Sequence, residues 1–168
     1  MPTGTLISVE EYLATSYRPD CDYVDGRLVE RNVGERDHSS LHAALSSFLF
    51  SRRKQWGIQV FVEQRIQVRP QRYRVPDICV IVGVTDEQIL TKPPFLCIEI
   101  LSPEDRLSRV KERIDDYLAM GVPHVWLLDP RTRQAYAADT MQGFREIKDG
   151  VLRTGNPAIE VPIDQLFE

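Results

Sequence analysis

The sequence predicts an α/β fold in which a mixed central β-sheet is flanked by helices. Three observations carry that expectation. Residues 95–129 read as strand, helix, strand: FLCIEIL, then a segment with Leu107, Val110, Ile114, Tyr117 and Leu118 on one stripe, then HVWLLDP. Such a unit normally sets two parallel strands side by side through a right-handed crossover. Both strands are apolar on successive residues, as strands covered on both faces must be, and hairpin-like segments precede them, so antiparallel pairs belong in the same sheet.

The elements follow in chain order. SVEEYLATS opens a helix: Ser8 followed by Glu11 is a capping box, and Val9, Tyr12 and Leu13 form its apolar stripe. CDYVDGRLVERN places Asp25-Gly26 between two β-like arms, a strong tight-hairpin signal. Residues 38–56 carry Leu41, Leu45, Phe48 and Leu49 at helical spacing, and Gly57 ends that helix. IQVFVEQRIQV, a turn near Pro70, and YRVPDICVIVG then read as β from 58 to 82. Ser102-Pro103-Glu104 is a helix start, with Ser102 as cap and Pro103 in the first helical position. RQAYAAD and FREIKDG read as a β meander, and VPIDQLFE as a short helical turn.

The chain has 168 residues, the size of one domain, with 42% hydrophobic and 27% charged residues, an ordinary globular balance. The formal net charge is −4, from 21 basic against 25 acidic residues, so nothing global draws the chain to nucleic acid or to a membrane surface. Any hold on DNA has to come from a local basic patch. No apolar run approaches the ~18–20 residues of a membrane span. MPTGTLISVEEYL has neither a basic leader nor an apolar core, which leads us to expect a cytoplasmic protein. Cys21, Cys79 and Cys97 lack the paired spacing of a zinc site or disulfide framework and read as small buried hydrophobes.

The chemistry lies in two acids. Glu99 interrupts the run Phe95, Leu96, Cys97, Ile98, Ile100, Leu101, and Asp77 opens Ile78, Cys79, Val80, Ile81, Val82. A lone buried carboxylate costs roughly several kcal/mol even after relaxation, so each needs a cation, water or a proton. If the two strands are neighbours, the carboxylates converge, and the pair suits a hard divalent ion such as magnesium, with the Ile100 carbonyl as a further ligand. A third acid is expected after the hairpin; spacing alone does not choose Glu30 over Asp25 or Glu35. Blander roles compete: a strand-entry cap for Asp77, an ion pair to a helix arginine such as Arg113 for Glu99, and a solvent-facing strand position for Glu30. His38 and His42, one helical turn apart without HExxH, do not make a zinc motif; His38 is instead a candidate to fix Glu30 or touch phosphate. Arg52, Arg53 and Lys54 are accounted for by a helix dipole. Arg65, Arg69, Arg72 and Arg74 around Pro70, with Tyr73 for stacking, are the candidate DNA-contacting tip; the alternative is a charged, solvated sheet edge.

Taken together, YVDGRLVE, His38, PD at 76–77, EILSP at 99–103 and YLAMGVPHVWLLDP resemble the PD-(D/E)XK nuclease superfamily, and within it the Uma-type, restriction-endonuclease-like branch, over roughly residues 8–135. The resemblance implies a restriction-endonuclease-like core with an N-terminal helix and hairpin, and magnesium-dependent hydrolysis of DNA phosphodiesters, with manganese as a substitute ion. It places the metal acids on Asp77 and Glu99, with Glu30 as the additional acid. Two positions depart from the pattern. Leu101 stands where the parent motif has lysine, and Arg113 stands four residues before Tyr117 where this branch carries it; Lys111 is the nearest alternative. An arginine holds phosphate through its fork but is not a base. Cutting both strands of a duplex calls for two sites, hence a homodimer, with the Trp126 strand and the β meander as its expected face. Two rival expectations are an inert descendant of this fold that binds nucleic acid or protein, and metal-assisted hydrolysis of some other phosphoester.

Overall fold

The computed structural model describes residues 4–167. Residues 1–3, part of the segment read above as lacking a leader, and residue 168 lie outside it. Helix α1 (Val9–Leu13) is capped by Ser8, whose Oγ accepts from the Glu11 amide at 3.1 Å. Strands β1 (Cys21–Val24) and β2 (Arg27–Glu30) form the expected hairpin. Its turn needs left-handed backbone at both central residues, and Asp25 (φ 50) with Gly26 (φ 88) supplies it. Helix α2 (Arg36–Ser51) and the single turn α3 (Arg53–Trp56) replace the one continuous helix expected over 38–56: the chain leaves α geometry at Arg52, and Gly57 (φ 62) then ends it.

The predicted mixed sheet has six strands in the order β10 (Gly143–Glu146), β9 (Gln134–Asp139), β8 (His124–Asp129), β7 (Leu96–Ile100), β6 (Ile78–Val82), β3 (Ile58–Val62). Strands β7 and β8 pair parallel, joined by helix α4 (Leu107–Met120), and every other pair in the sheet is antiparallel. The hairpin does not join this sheet. It pairs with β5 (Arg72–Arg74) and β4 (Ile66–Arg69) in a separate four-stranded sheet, β2-β1-β5-β4. The cause is a corner at Glu63 (φ 51), which interrupts the strand expected over 58–68 and sends the chain out of the main sheet. The Glu63 amide donates to the Asp77 carbonyl at 3.0 Å, fixing that corner to the start of β6. A third, two-stranded sheet joins β11 (Val151–Arg153) to β12 (Glu160–Pro162) ahead of the C-terminal 3-10 turn Ile163–Phe167.

The start of α4 also differs from expectation. Ser102 and Asp105 form a closed turn instead of a first helical turn: the Asp105 amide donates to the Ser102 carbonyl (3.0 Å), and the Ser102 amide donates to Asp105 Oδ2 (2.7 Å). The helix then begins at Leu107.

Alternation along the strands sorts the core into two layers. Ile78, Val80, Leu96, Ile98, Ile100, Trp126 and Leu128 pack toward Leu41, Leu45 and Leu49 of α2. Cys79, Cys97, Val125 and Leu127 pack toward Val110, Ile114 and Tyr117 of α4. Glu99, between Ile98 and Ile100, therefore falls on the α4 face. Trp126 is 0% exposed, so its ring packs in the core of its own chain. Among the described residues no helix is long and apolar enough to cross a membrane.

Candidate active site

The register of β6 against β7, Ile78↔Ile98 and Cys79↔Cys97, runs on to set Asp77 opposite Glu99. Both are buried, at 3% and 2% exposure. What lies between them is an arginine. Arg31 Nη2 donates to Asp77 Oδ1 at 2.8 Å and stands 3.6 Å from Glu99 Oε2. Arg31 follows β2 directly, and its amide is pinned to the Asp20 carbonyl at 2.8 Å, so the hairpin delivers the guanidinium to the sheet.

The remaining carboxylate oxygens are also engaged. Asp77 Oδ2 accepts from the Ile100 amide at 2.7 Å, and His38 Nε2 lies 3.4 Å from Oδ1. Glu99 Oε1 accepts from the Tyr117 hydroxyl at 2.5 Å. Arg113 Nη1 stands 3.7 Å from Glu99 Oε2, while its Nη2 donates to Asp105 Oδ1 at 3.2 Å, and Asn32 Nδ2 donates to the same oxygen at 3.1 Å. His42 Nε2 meets the Asp77 carbonyl at 3.0 Å. Two donors are left over: Arg31 Nη1 and Arg113 Nε are buried without an acceptor among the described residues. Ser46 Oγ, Arg72 Nε and Trp126 Nε1 also lack a partner among the described residues, so what sets the two site donors apart is that their residues border clefts.

Burial works against the ionised form of both acids, and their neighbours decide the outcome differently. At Asp77 the Arg31 charge, the His38 hydrogen bond and the Ile100 amide outweigh burial and hold the carboxyl well below its usual range. At Glu99 burial prevails over Arg113 and Arg31 and pushes the carboxyl up. The hydrogen bond from His38 to Asp77 raises the imidazole above its ordinary value, against the opposing effect of burial.

A polar cleft of about 690 Å³ opens over Asp77. Arg31, Asn32, His38, His42, Asp20 and Glu63 are among the residues that line it. Arg31 also borders a second cleft of about 170 Å³, lined among others by Glu30, Asp105 and Arg113.

Of the residues picked from sequence, Asp77, Glu99, Arg113 and His38 come together here. The alternatives weighed for the two acids are present as contacts: Asp77 caps the Ile100 amide, and Glu99 faces Arg113. Ile100 meets Asp77 through its amide rather than its carbonyl. Glu30 is solvent-exposed at the end of β2, one residue from Arg31, and the strand alternation that turns Arg31 inward turns Glu30 away. Lys111 is 72% exposed and pairs with Asp115 at 2.8 Å, so it does not take the place of the missing lysine.

The basic tip is a correction too. Arg74 is buried against Asp22, Glu112 and Asp116, and Arg72 bridges Asp25, Glu112 and Asp116. Arg65 donates to the Leu13 and Thr15 carbonyls and lies over the Tyr12 ring. Tyr73 is buried among Tyr12 and Tyr23 and has no face for a base. Arg69 alone of the four arginines is exposed, 3.6 Å from Asp25. The expected patch is thus mostly internal, because nearby acids on β1, its turn and α4 consume its charge. Arg31, Tyr117 and Asp105 were missed as site residues. The signal for Arg31 was strand parity after the hairpin: an outward Glu30 puts its neighbour inward.

The donor chemistry of two carboxylates is of the kind a hard divalent ion takes. As they stand, however, every carboxylate oxygen has a protein donor nearby and two guanidinium charges already balance the two acids. Among the described residues no group of three or more His, Cys, Asp or Glu side chains is arranged to hold a metal. The arrangement does not fit a resident divalent ion.

The family model described as Uma2, "Putative restriction endonuclease", matches residues 9–148. The chain belongs to the Uma2 family. That membership supports a nuclease-like function for this Uma2-family chain. Its fold is similar to the crystal structure of a putative nuclease belonging to DUF820 from Anabaena variabilis, with a TM-score of 0.83 and 24% identity over 96% of this chain and 97% of that one. No curated protein matches the chain.

Proposed function

We propose that this chain acts on DNA phosphodiesters at the cleft over Asp77, as an endonuclease-like domain. The observation that carries the reading is the facing of Asp77 and Glu99 across adjacent strands beneath a polar cleft, beside two buried guanidinium donors that have no acceptor among the described residues. A phosphate oxygen is the acceptor those donors suit, because guanidinium binds phosphate through a fork of N–H groups. Arg31 is the positioning donor on the cleft side and Arg113 its counterpart toward α4. His38, more readily protonated than an ordinary histidine, is the group able to give a proton to the departing oxygen. Asp105, which also accepts from the Asn32 amide group, holds Arg113 in place.

One observation favours a second reading, DNA binding without hydrolysis: Arg31 and Arg113 stand where lysine and an ion would be expected. Supercoiled plasmid incubated with the protein and magnesium or manganese separates the two. Nicking by the wild type that falls roughly 100-fold or more in Asp77→Asn, the scale of losing a group essential to the chemistry, and persists in Lys111→Ala is the expected result. Retention of DNA with no nicking under either ion supports the second reading and overturns the first. A second copy is required only for double-strand cleavage; strand β10, at the edge of the main sheet, rather than Trp126, is where we place it.

A further inference from the structure

We infer that Arg31 is a built-in counter-cation: its guanidinium holds the place between Asp77 and Glu99, so the free protein keeps divalent ions off this acid pair. The inference concerns the same centre as the proposed function and rests on it only for taking these two acids as the reactive pair.

Charge and geometry carry it. Two carboxylates at 3% and 2% exposure, opposite one another in register, repel across a medium less polar than water and need positive charge between them. A divalent ion is one source. This chain supplies another through Arg31, 2.8 Å from Asp77 and 3.6 Å from Glu99, and Arg113, 3.7 Å from Glu99. With both guanidiniums in place the two acids already face two cations, and a doubly charged ion added between the acids would be set against like charges in a buried site, which is strongly unfavourable.

The two arginines are not equivalent. Arg113 is tethered to Asp105 and reaches only Glu99, whereas Arg31 touches both acids and is the only one of the two that lines the large cleft. Its Nη1 has no acceptor among the described residues. Arg31, which borders both clefts, is therefore incompletely paired. It is the residue whose departure would free the acids for an ion.

The test needs no DNA. Manganese is titrated calorimetrically into wild type, Arg31→Gln, Arg31→Lys and the double variant Arg31→Gln/Asp77→Asn, and thermal melting is followed with and without the ion. Removing the guanidinium charge is expected to tighten manganese binding by about tenfold or more. Arg31→Gln is expected to melt below wild type and to recover on adding manganese, since an ion that binds only the folded state stabilises it. Arg31→Lys, which keeps a cation, is expected to stay near wild type, and the double variant to lose the gain. An Arg31→Gln protein that folds only with manganese also supports the inference.

Wild-type manganese binding that is lost in Asp77→Asn would overturn the inference, as would Arg31→Gln binding no tighter than wild type. The plasmid assay stays independent of this outcome. An ion site opened by Arg31→Gln in a protein that never nicks DNA leaves the inference standing and the nuclease reading lost. Unchanged ion affinity in a protein that nicks does the reverse.

Discussion

Two clusters in this molecule are built from the same parts, a pair of arginines and a set of acids, and they are built differently. In the first, Arg72 and Arg74 from β5 meet Asp22, Asp25, Glu112 and Asp116, with Arg74 Nη2 2.6 Å and Nε 2.7 Å from Asp116 Oδ2 and Nη1 3.1 Å from Asp22 Oδ2. The Val75 amide adds a bond to Asp22 Oδ1 at 3.0 Å. Arg74 uses its full fork. In the second, Arg31 and Arg113 meet Asp77 and Glu99 with one contact at 2.8 Å and two at 3.6 and 3.7 Å. Each cluster keeps buried donors without acceptors among the described residues, Arg72 Nε in the first and Arg31 Nη1 with Arg113 Nε in the second, but only the second pair borders clefts. The first cluster ties the small sheet to α4. The second sits under a cleft. Short, multiple contacts serve the fold, whereas longer contacts beside a cleft leave these guanidiniums room to meet something else.

The largest effect expected on this contrast comes from Arg74→Ala. It leaves Asp22 buried without its main counter-charge, and loss of one partner of a buried pair costs about 3–5 kcal/mol; urea unfolding should show the loss, and a loss below about 1 kcal/mol would make the first cluster no staple at all. A smaller effect is expected at its exposed rim. The hydrogen bond from Arg72 holds the Asp25 carboxyl below its usual value. A lowered folded value means that the contribution is present above the unfolded value, near 3.8, and is lost as pH falls through the folded one. Asp25→Asn keeps a residue that tolerates the left-handed turn, so it should cost under about 1 kcal/mol at neutral pH. The difference from wild type should shrink on acidification, as read from thermal melts between pH 7 and 3. A gap that widens in acid would mean that Arg72 does not hold this group. Least of all is expected from Lys111→Ala, an exposed pair with Asp115 whose removal should change stability by less than about 0.5 kcal/mol.

The fold was legible where one residue's parity or cap decides an element. The Asp25-Gly26 turn, the Ser8 cap and the β7-α4-β8 crossover all follow from local pattern. The split into two main sheets was not legible, because it turns on Glu63 adopting a backbone conformation that its residue type does not announce. The start of α4 was misread for a related reason: Ser102-Pro103 is a sound helix opening, but Asp105 folds back onto the Ser102 amide and closes a turn first. At the site, Asp77 and Glu99 stood out because an acid in an apolar strand demands a partner. That partner did not stand out, because an arginine after an exposed hairpin looks like surface until the hairpin is folded onto the sheet. The basic tip failed in the opposite way: four arginines close in sequence look like a patch until the acids of α4, forty residues away, are brought against Arg72 and Arg74.

The corner at Glu63 carries one more consequence. Its amide and the His42 ring both anchor on the Asp77 carbonyl, while Arg31, His38 and the Ile100 amide grip the Asp77 side chain. The bend that separates the two sheets is thus bolted to the very peptide that seats the acid. An insertion at 63–65 would therefore be felt as a misalignment of the cleft floor before either sheet came apart, which makes this short segment, remote from the reactive pair in sequence, the natural place to tune how firmly that floor is held.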